Sequence, residues 1–392
     1  MRTLDPPTVD RNVPAALDLV LDDLLARRLD EARALEGAFA ADIAARVAAF
    51  TLAGGRRRRS QLLWWSLRAC GGGAAETGAA LRAAAAVELI QTCALVHDDV
   101  MDGSALRRAA PALHTALDDQ YRTAGRRLPL LSFGGAAAIL AGDLALAWAD
   151  DAFAEVLPRS PHADGLAAEW RAMRTGMVAG QYLDLHAQAT GDRSPGRALR
   201  TAVLKTARYS AVHPLVLGAR LAGAGERTLG ALRRAGTSAG VAFQLRDDLE
   251  GVFGDPARTG KPAGEDLRDG KATCLLAVGR ALCARQGDTE GLRLLDAVVG
   301  SPDATDEDLR RVAALLARCG ARAYVTARVE GLSARAARTV RAAGLAAGPA
   351  ERVVGLLLDA AGVAAAAPPP GPAEAGGEPV RPGVPVAAGG AR

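Results

Sequence analysis

Three aspartates lie close together in an otherwise apolar stretch, AAAAVELIQTCALVHDDVMD at residues 83–102. On a helix, Asp98 and Asp102 are four residues apart and share a face, with Asp99 three residues before Asp102. Carboxylates so placed repel each other, and an unpaired charge in apolar surroundings is costly. Mg²⁺ offsets this cost because it binds carboxylate oxygens and keeps waters and substrate phosphates as further ligands. The alternative is a solvated helix end whose aspartates face water.

A second acidic pair, Asp247 and Asp248, ends another apolar segment, AGVAFQLRDDLEGVFGD at residues 239–255. Gly251 stands where a third aspartate would complete the same i,i+4 pattern, so this copy is incomplete. Asp255, beyond the predicted helix, is a weak substitute. Two acidic clusters on separate helices can face each other across a bundle and hold metal ions and, through them, a diphosphate.

The basic counterpart is a run of four arginines at residues 56–59, which follows two glycines and precedes an apolar segment. A glycine-rich turn before a helix exposes backbone N–H groups, and guanidinium groups add bidentate phosphate contacts. Arg107 and Arg108 follow the first acidic motif closely enough to reach the same cleft. The alternative for both groups is solvated surface charge.

Other polar residues give weaker signals. Lys205, Lys261 and Lys271 are isolated, and a lone lysine is typically a surface residue. Gln181 and Asp184 fall at helical i,i+3 spacing in an apolar context, where capping or a buried hydrogen bond is the alternative role. None of the five histidines joins a recognisable serine or cysteine nucleophile arrangement.

The elements that position these residues are predicted to be helices. The 392 residues are 49% hydrophobic but only 4% aromatic, with abundant alanine, leucine and arginine. Apolar-periodic segments separated by short Gly/Pro/Ser stretches predict one large all-α helical bundle around a central cavity, over residues 14–363. Residues 1–13 are expected to be a flexible N-terminal segment, and residues 364–392 a disordered Pro/Gly/Ala-rich tail.

Charge and cysteine content restrict the function classes. A net charge of +4, without a basic stripe interleaved with aromatics, does not favour nucleic-acid binding. The five cysteines form no CxxC pair, so we expect reduced thiols in a cytoplasmic protein. The most membrane-like stretch, at residues 128–150, is interrupted by Asp143, which favours a core helix over a membrane span.

Taken together, six stretches resemble, in the same order, the trans-isoprenyl diphosphate synthases, which form the polyprenyl synthetase family. They are GGRRRRS, ELIQTCALVHDDVMDGSALRRAAPALH, LAGDLALAWA, GQYLDL, KTA and FQLRDDLEGVFGDPARTGKPAGEDLRDGKAT. The resemblance covers roughly residues 15–360. It implies a helical fold with a large cavity, three Mg²⁺ ions per active site, isopentenyl and allylic diphosphates as substrates, and a homodimer.

The resemblance also assigns roles to individual residues. The implied metal ligands are Asp98, Asp99, Asp102, Asp247 and Asp248, and the implied catalytic residues are Asp98, Asp102, Lys205 and Asp247. The allylic diphosphate would contact Arg107, Lys205 and Lys261, with Gln181 near the allylic group. Isopentenyl diphosphate would contact Gly55, Arg56, Arg59, Gln91 and Arg108, and Thr206 and Gln244 complete the substrate-binding set.

Three residues depart from the family pattern. Arg56 replaces a usual lysine but keeps the cation, and Ser60 replaces a usual proline, which we interpret as a detail of the helix start. Gly251 replaces the last aspartate of the second motif and leaves the third metal dependent on Asp247.

The implied reaction is head-to-tail condensation of the two diphosphates. Cys93 and Ala94, one turn before Asp98, are small, and no aromatic side chain occurs between Glu88 and Asp102. By analogy with the family, this favours a product longer than fifteen carbons, and we expect geranylgeranyl diphosphate, with twenty. The alternatives are a class I terpene cyclase, which needs no second diphosphate site, and a non-catalytic partner subunit of a prenyl diphosphate synthase.

Overall fold

The computed structural model describes residues 4–108, 110–122, 132–254 and 264–363. Over these residues the chain is almost entirely helical, which confirms the predicted all-α class. The helices of the first half are α1 (Pro6–Arg11), α2 (Val13–Leu35), α3 (Gly37–Phe39), α4 (Ala45–Leu52), α5 (Arg58–Ala69), α6 (Ala74–Met101), α7 (Leu113–Gln120), α8 (Phe133–Ala154) and α9 (Ala163–Thr190). Those of the second half are α10 (Pro195–Thr201), α11 (His213–Leu221), α12 (Glu226–Phe253), α13 (Glu265–Arg268), α14 (Cys274–Gln286), α15 (Thr289–Val298), α16 (Asp306–Arg318), α17 (Ala321–Arg341) and α18 (Ala347–Ala361).

Shorter elements connect these helices. A small antiparallel sheet follows α6, with β1 (Leu106–Arg107) paired to β2 (Ala110–Pro111). Two π-helical segments, Ala40–Ala44 and Ala202–Val212, continue into neighbouring α-helices, and a 3₁₀ turn covers Leu157–Arg159. Such π-helical segments often occur at functional sites.

The N-terminal segment, expected to be flexible, is instead folded from residue 4 onward. Asp5 caps α1 by accepting the Thr8 N–H (3.0 Å), and Val9 is fully buried. Asp10 accepts hydrogen bonds from the Trp64 indole (2.8 Å) and the Arg68 guanidinium (3.1 Å), both on α5. A buried valine and a paired carboxylate therefore tie α1 to the bundle, which sequence composition alone did not reveal.

Helix α6 delivers the first acidic motif and is buried along most of its length. Glu76 accepts the Gly73 N–H (2.8 Å) at the start of the helix, and Gly103, with a φ of 63°, turns the chain beyond its end. Alanines at residues 83–86 lose no rotamer freedom and let neighbouring helices approach closely. The composition of α6 therefore makes a core helix whose last turn carries the aspartates.

Two apolar clusters form the core of the described residues, and α12 contributes to both. Leu229 and Leu232 of α12 belong to the cluster that includes α5, α6 and α8. Leu245 and Val252 of α12 belong to the cluster that includes α14, α16 and the first half of α17. The division into a domain over residues 14–363 and a tail stays a prediction, because residues 364–392 lie outside the described residues.

Two helices are long and apolar enough, by length and composition, to cross a membrane: α6 and the segment Phe133–Arg159. The core helix of a soluble protein has the same properties, so this signal is weak. In their most apolar windows, 83% and 50% of the residues are buried inside the protein. For α6 this burial agrees with a core role, whereas α8 packs only one face and leaves Ile139 and Leu140 exposed.

Glycines allow the π-helical segment Ala202–Val212 to lie directly against its neighbours. A Cβ on Gly180 of α9 would lie 2.3 Å from the Lys205 backbone nitrogen, and one on Gly240 of α12 would lie 2.3 Å from the Cα of Ala207. Both distances are far below van der Waals contact, so these positions tolerate only glycine unless the backbone moves. This close approach fixes the position of the Lys205 backbone between α9 and α12.

We predict that Gly180→Ala destabilises the protein by about 1–3 kcal/mol, because the added methyl overpacks a backbone contact. Gly176→Ala, on the same helix, is the matched control: its Cβ would meet no atom closer than 4.0 Å. Because alanine is the better helix former, this control should be neutral or stabilising by up to about 1 kcal/mol. Urea unfolding of both variants checks the prediction, and equal effects would contradict it.

Candidate active site

The two outer aspartates of the first motif face a cavity of about 420 Å³ at the end of α6. Asp98 accepts a hydrogen bond from the Gln181 amide (2.9 Å) and pairs with the Lys205 ammonium (3.2 Å). Asp102 follows the last residue of α6 and pairs with the Lys271 ammonium (3.4 Å). Each carboxylate is therefore compensated by a lysine from another part of the chain.

Asp99 has a different environment from its two neighbours. Its side chain is 1% exposed, does not line the cavity, and accepts two hydrogen bonds from Arg107, one of 2.8 Å from Nε. Asp99 Oδ2 has no hydrogen-bond partner among the described residues. The structure thus makes Asp99 the anchor of Arg107, and its implied role as a metal ligand stays a prediction.

Charges in the motif shift the pKa values in different directions. Burial alone would raise the pKa of Asp98, but Lys205, Gln181 and Arg107 outweigh burial and lower it below the ordinary value. Burial raises the pKa of Asp99 despite Arg107, and burial together with Asp98 raises the pKa of Asp102 despite Lys271. Asp98 is therefore the member of the motif most strongly held in its charged form.

The second acidic pair lies on α12 at the same cavity, as predicted from the sequence. Asp247 and Asp248 both line it. Asp248 is nearly fully buried and accepts hydrogen bonds from the Gln244 amide (2.9 Å) and the Cys274 backbone N–H (2.8 Å). Burial raises the pKa of Asp248 to about 7. Asp248 therefore joins α12 to the start of α14.

A chain of hydrogen bonds extends from Asp248 to the π-helical segment. The Thr206 hydroxyl donates to Gln244 Oε1 (2.6 Å), and the Gln244 amide nitrogen donates to Asp248. One residue earlier, Lys205 lies between Asp98 and Asp184, 2.7 Å from the latter. Burial alone would lower the pKa of Lys205, but Asp184 and Asp98 outweigh it and raise the pKa. The ammonium therefore remains charged inside the cavity.

The four consecutive arginines divide into three environments. Arg59 lines the cavity, donates to the Ser210 hydroxyl (2.9 Å) and stacks over Tyr209. Arg57 is buried, with a left-handed φ of 49°, and donates to Glu88 (2.9 Å) and Asp18 (3.1 Å). The remaining two, Arg56 and Arg58, both pair with Asp359 of α18 (3.4 and 2.7 Å) and do not line the cavity.

Ser60 corrects one interpretation made from the sequence. We interpreted it as a detail of the helix start, but its hydroxyl donates to Glu88 Oε1 at 2.5 Å. Glu88 thus receives Arg57 on one carboxylate oxygen and Ser60 on the other, and both partners are buried. Ser60 and Arg57 together neutralise and satisfy a carboxylate inside the core.

The predicted substrate-binding residues are only partly brought together. Those that line the cavity are Arg59, Gln91, Arg107, Gln181, Lys205, Thr206 and Gln244. Gly55, Arg56 and Arg108 do not line it. Arg108 donates to the Ala53 carbonyl (3.0 Å), in the loop between α4 and α5, and stacks over Phe50 of α4. Lys261 and Asp255 lie outside the described residues.

Sequence reasoning underrated several residues of the cavity. Lys271 is a weak signal in the sequence, yet its ammonium lies among Asp102, Asp266 and Asp269, at 3.4, 3.7 and 3.7 Å. Asp184, for which we considered a capping role, pairs with Lys205 in the cavity. The signal was present in the high density of charged residues in GEDLRDGK, but local spacing did not show which helix they would meet.

The donor set fits a hard divalent cation. Carboxylate oxygens from α6 and α12 line one cavity, and Mg²⁺ takes such ligands together with phosphate oxygens. Among the described residues no three carboxylates, histidines or cysteines converge on one point, and Lys205 and Lys271 pair with Asp98 and Asp102. Asp98, Asp102 and Asp247 would hold the ions.

Comparisons with known proteins identify the family of this chain. A model of the polyprenyl synthetase family matches residues 42–316. Geranylfarnesyl diphosphate synthase of Aeropyrum pernix is 31% identical over 71% of this chain and 81% of its own length. Geranylgeranyl diphosphate synthase of Mycobacterium tuberculosis is 35% identical over 62% of this chain and 63% of its own, so the chain spans less than two thirds of that relative.

A solved structure supports the same family and fold. Geranylgeranyl pyrophosphate synthase from Corynebacterium glutamicum, complexed with isoprenyl diphosphate and magnesium, matches with a TM-score of 0.79 and 34% identity. The match covers 88% of this chain and 98% of that one. The fold and the site thus define an all-α isoprenoid synthase. The chain belongs to the polyprenyl synthetase family, which places it among the prenyl-transferring enzymes.

The arginine run generates a test. We predict that Arg57→Ala lowers the free energy of unfolding by about 3–5 kcal/mol, because it leaves the buried Glu88 carboxyl without its guanidinium partner. Arg58→Ala should cost less than about 1 kcal/mol, since its partner Asp359 is 55% exposed. Denaturant unfolding measures the free energy of unfolding of both variants. Similar losses in the two would show that the Arg57–Glu88 pair does not stabilise the loop before α5 more than the Arg58–Asp359 pair does.

Proposed function

We propose that this protein condenses isopentenyl diphosphate with an allylic diphosphate, head to tail, in a Mg²⁺-dependent reaction that yields geranylgeranyl diphosphate. One observation carries the proposal: both acidic motifs, four basic side chains and an apolar wall line the same cavity. The basic residues are Arg59, Arg107, Lys205 and Lys271. This combination suits a molecule with a charged diphosphate head and a hydrocarbon tail.

The allylic diphosphate head fits between the two acidic motifs. Bound Mg²⁺ would supply Lewis-acid stabilisation of the leaving diphosphate. Lys205 is charged and half-buried beside Asp98, and Arg107 is held in place by Asp99, so both present fixed cations to the developing negative charge. When the carbon–oxygen bond breaks, the electron pair leaves with the diphosphate and an allylic cation remains.

Isopentenyl diphosphate is the acceptor. Arg59 and Gln91 line the part of the cavity that would hold its diphosphate, and the nearby loop carries Arg108. The double bond attacks the allylic cation, a carbon–carbon bond forms, and a proton passes to an oxygen of the departing diphosphate. Apolar side chains exclude water, which would otherwise quench the cation. No histidine base is needed.

Product analysis tests the activity. With Mg²⁺, labelled isopentenyl diphosphate and primers of five, ten or fifteen carbons, we expect chain extension to geranylgeranyl diphosphate. Substituting Asp98→Asn should reduce the rate at least about a hundredfold, a loss typical when a group that stabilises transition-state charge is removed. Liquid chromatography with mass detection identifies the products.

The alternatives give different results in the same assay. A terpene cyclase would convert a single allylic diphosphate to a cyclic hydrocarbon without isopentenyl diphosphate. A partner subunit would be inert alone and active only with a second chain. Either result would contradict the proposed function.

The wall of the cavity supports a long product. Ala94 and Leu95 of α6 line it together with Met177 and Phe243, while Cys93 is buried and directed towards His97 (3.7 Å). Ala94 is therefore the small residue of α6 that would face the hydrocarbon chain of the product, about one turn from Asp98. A hydrocarbon that grows along α6 would pass this methyl group.

We predict that Ala94→Phe shortens the main product from twenty carbons to fifteen or ten, because the ring would close the path along α6. Ala94→Ser, which hardly changes the volume, is the matched control and should leave the product at twenty carbons. Separation of the dephosphorylated products by chain length measures the shift. An unchanged distribution for Ala94→Phe would show that the wall lies elsewhere, for example near Phe133.

We further propose a homodimer formed through α8 and α9. These helices pack together through Phe153 and Trp170, whose rings stack at 4.4 Å. Their outer faces expose Leu140, Val178 and Tyr182, each at 62%. Large exposed apolar side chains on two helices that contact each other are typical of an interface between subunits.

We predict that Leu140→Asp converts the dimer to a monomer, since a buried unpaired carboxylate opposes association. Leu19→Asp is the control, because Leu19 is equally exposed (61%) but lies on α2. Sedimentation velocity of the two variants measures the state. A dimer that survives Leu140→Asp, or a wild type that is monomeric at micromolar concentration, contradicts this interface.

A cytoplasmic location and the lack of a nucleic-acid partner complete the proposal. The five cysteines are free, which agrees with a reducing compartment. Filter binding over a salt series tests the second point, and tight, salt-dependent DNA or RNA binding would oppose it.

A further inference from the structure

The second acidic cluster lacks one carboxylate on α12 itself. Gly251 follows Asp247 by four residues, the same relation that Asp102 has to Asp98, but it brings no oxygen. Asp248 is buried and engaged by Gln244 and Cys274. Of the two motifs, only the first has a carboxylate four residues beyond its leading aspartate; in the second, Glu250 lies three residues beyond Asp247 and pairs with Arg246 (2.6 Å).

A carboxylate from another helix occupies the vacated volume. A Cβ on Gly251 would lie 2.2 Å from Asp266 Oδ2, so a side chain at position 251 and the present Asp266 cannot coexist without movement. The backbone fixes this proximity, because the Gly264 N–H donates to the Gly251 carbonyl (2.9 Å) just before α13 begins. Asp266 also lines the same cavity as Asp98, Asp102 and Asp247.

A cation already links Asp266 to the first motif. The Lys271 ammonium lies 3.4 Å from Asp102 and 3.7 Å from Asp266. The oxygen of Asp266 beside Gly251 is Oδ2, while the one nearest Lys271 is Oδ1, so one carboxylate faces both the gap on α12 and the opposite motif. The positive charge of Lys271 is thus shared by Asp102, at the end of α6, and Asp266, on α13.

We infer that Asp266 supplies the third carboxylate of the second motif and binds metal with Asp247, in the place that Gly251 leaves open. The inference rests on the proposed function for the metal and the diphosphate. Gly251 and Asp266 then form one unit: the missing side chain on α12 makes room for the carboxylate of α13. The second motif is complete in space, although it is incomplete in sequence.

Metal binding measured without turnover tests the inference. Mn²⁺ replaces Mg²⁺ as the probe, methylenediphosphonate serves as an unreactive diphosphate, and electron paramagnetic resonance counts free Mn²⁺. Asp266→Asn should weaken Mn²⁺ binding at least about tenfold, a loss in the range found when groups at a metal site are removed. Gly251→Asp combined with Asp266→Asn should recover affinity to within about threefold of wild type, because the carboxylate returns on α12.

Two comparisons separate this role from a general loss of charge or of folding. Asp269→Asn removes a neighbouring carboxylate that also lies 3.7 Å from Lys271, and it should change Mn²⁺ affinity less than about threefold. Gly251→Asp alone should not strengthen binding, because its side chain displaces Asp266. Thermal unfolding identifies any variant that fails to fold, and Asp266→Ala with and without Gly251→Asp then replaces the asparagine pair.

The outcomes distinguish a failure of the inference about Asp266 from a failure of the proposed function. If wild type binds Mn²⁺ with the diphosphonate and Asp266→Asn binds equally well, the inference is overturned and the proposed function stands. A double variant no better than Asp266→Asn also overturns it. Absence of Mn²⁺ and diphosphonate binding by wild type would overturn the proposed function, and the inference with it.

Discussion

Mutual repulsion between carboxylates in a half-buried cavity is the constraint on which the rest of the structure depends. The ends of α6 and α12 bring Asp98, Asp102 and Asp247 to one cavity, where water screens them poorly. Lys205 pairs with Asp98 and Lys271 with Asp102, and these positive charges offset the repulsion. The same arrangement is suited to bind cations that carry a diphosphate, since the ammonium groups can turn from carboxylate to phosphate.

The scaffold keeps these charges close by using small residues at its contacts. Gly180 and Gly240 let the π-helical segment lie against α9 and α12, so that Lys205 and Thr206 reach the cavity. The buried group of Arg57, Ser60 and Glu88 holds the start of α5, from which Arg59 points to the cavity. Within one run of arginines, Arg57 thus binds a buried carboxylate and Arg59 lines the cavity.

The features that could be predicted from the sequence are those set by residues close together in the chain. The i,i+4 spacing of Asp98 and Asp102 and the Ala/Leu-rich composition predicted acidic side chains on one face of a helix in an all-α fold. The resemblance to the family then gave the residues that meet across the cavity, including Lys205 and Gln244. These positions follow from spacing within one helix or from a pattern shared by the family.

What could not be predicted depends on contacts between distant segments. The four arginines are equivalent in sequence, but the left-handed φ of Arg57 and the position of Glu88 on α6 decide which one is buried. Lys271 was underrated because the aspartate it meets, Asp102, is far away in the chain. Composition predicts a flexible N-terminal segment, but tertiary packing, which composition does not show, buries Val9.

A crystal structure with Mg²⁺ and an unreactive allylic diphosphate analogue tests the central claim most directly. The account predicts metal ions bound by oxygens of Asp98, Asp102 and Asp247, with the Lys205 ammonium turned to the diphosphate. A structure in which the analogue binds without metal, or in which the ions lie away from these aspartates, would contradict it.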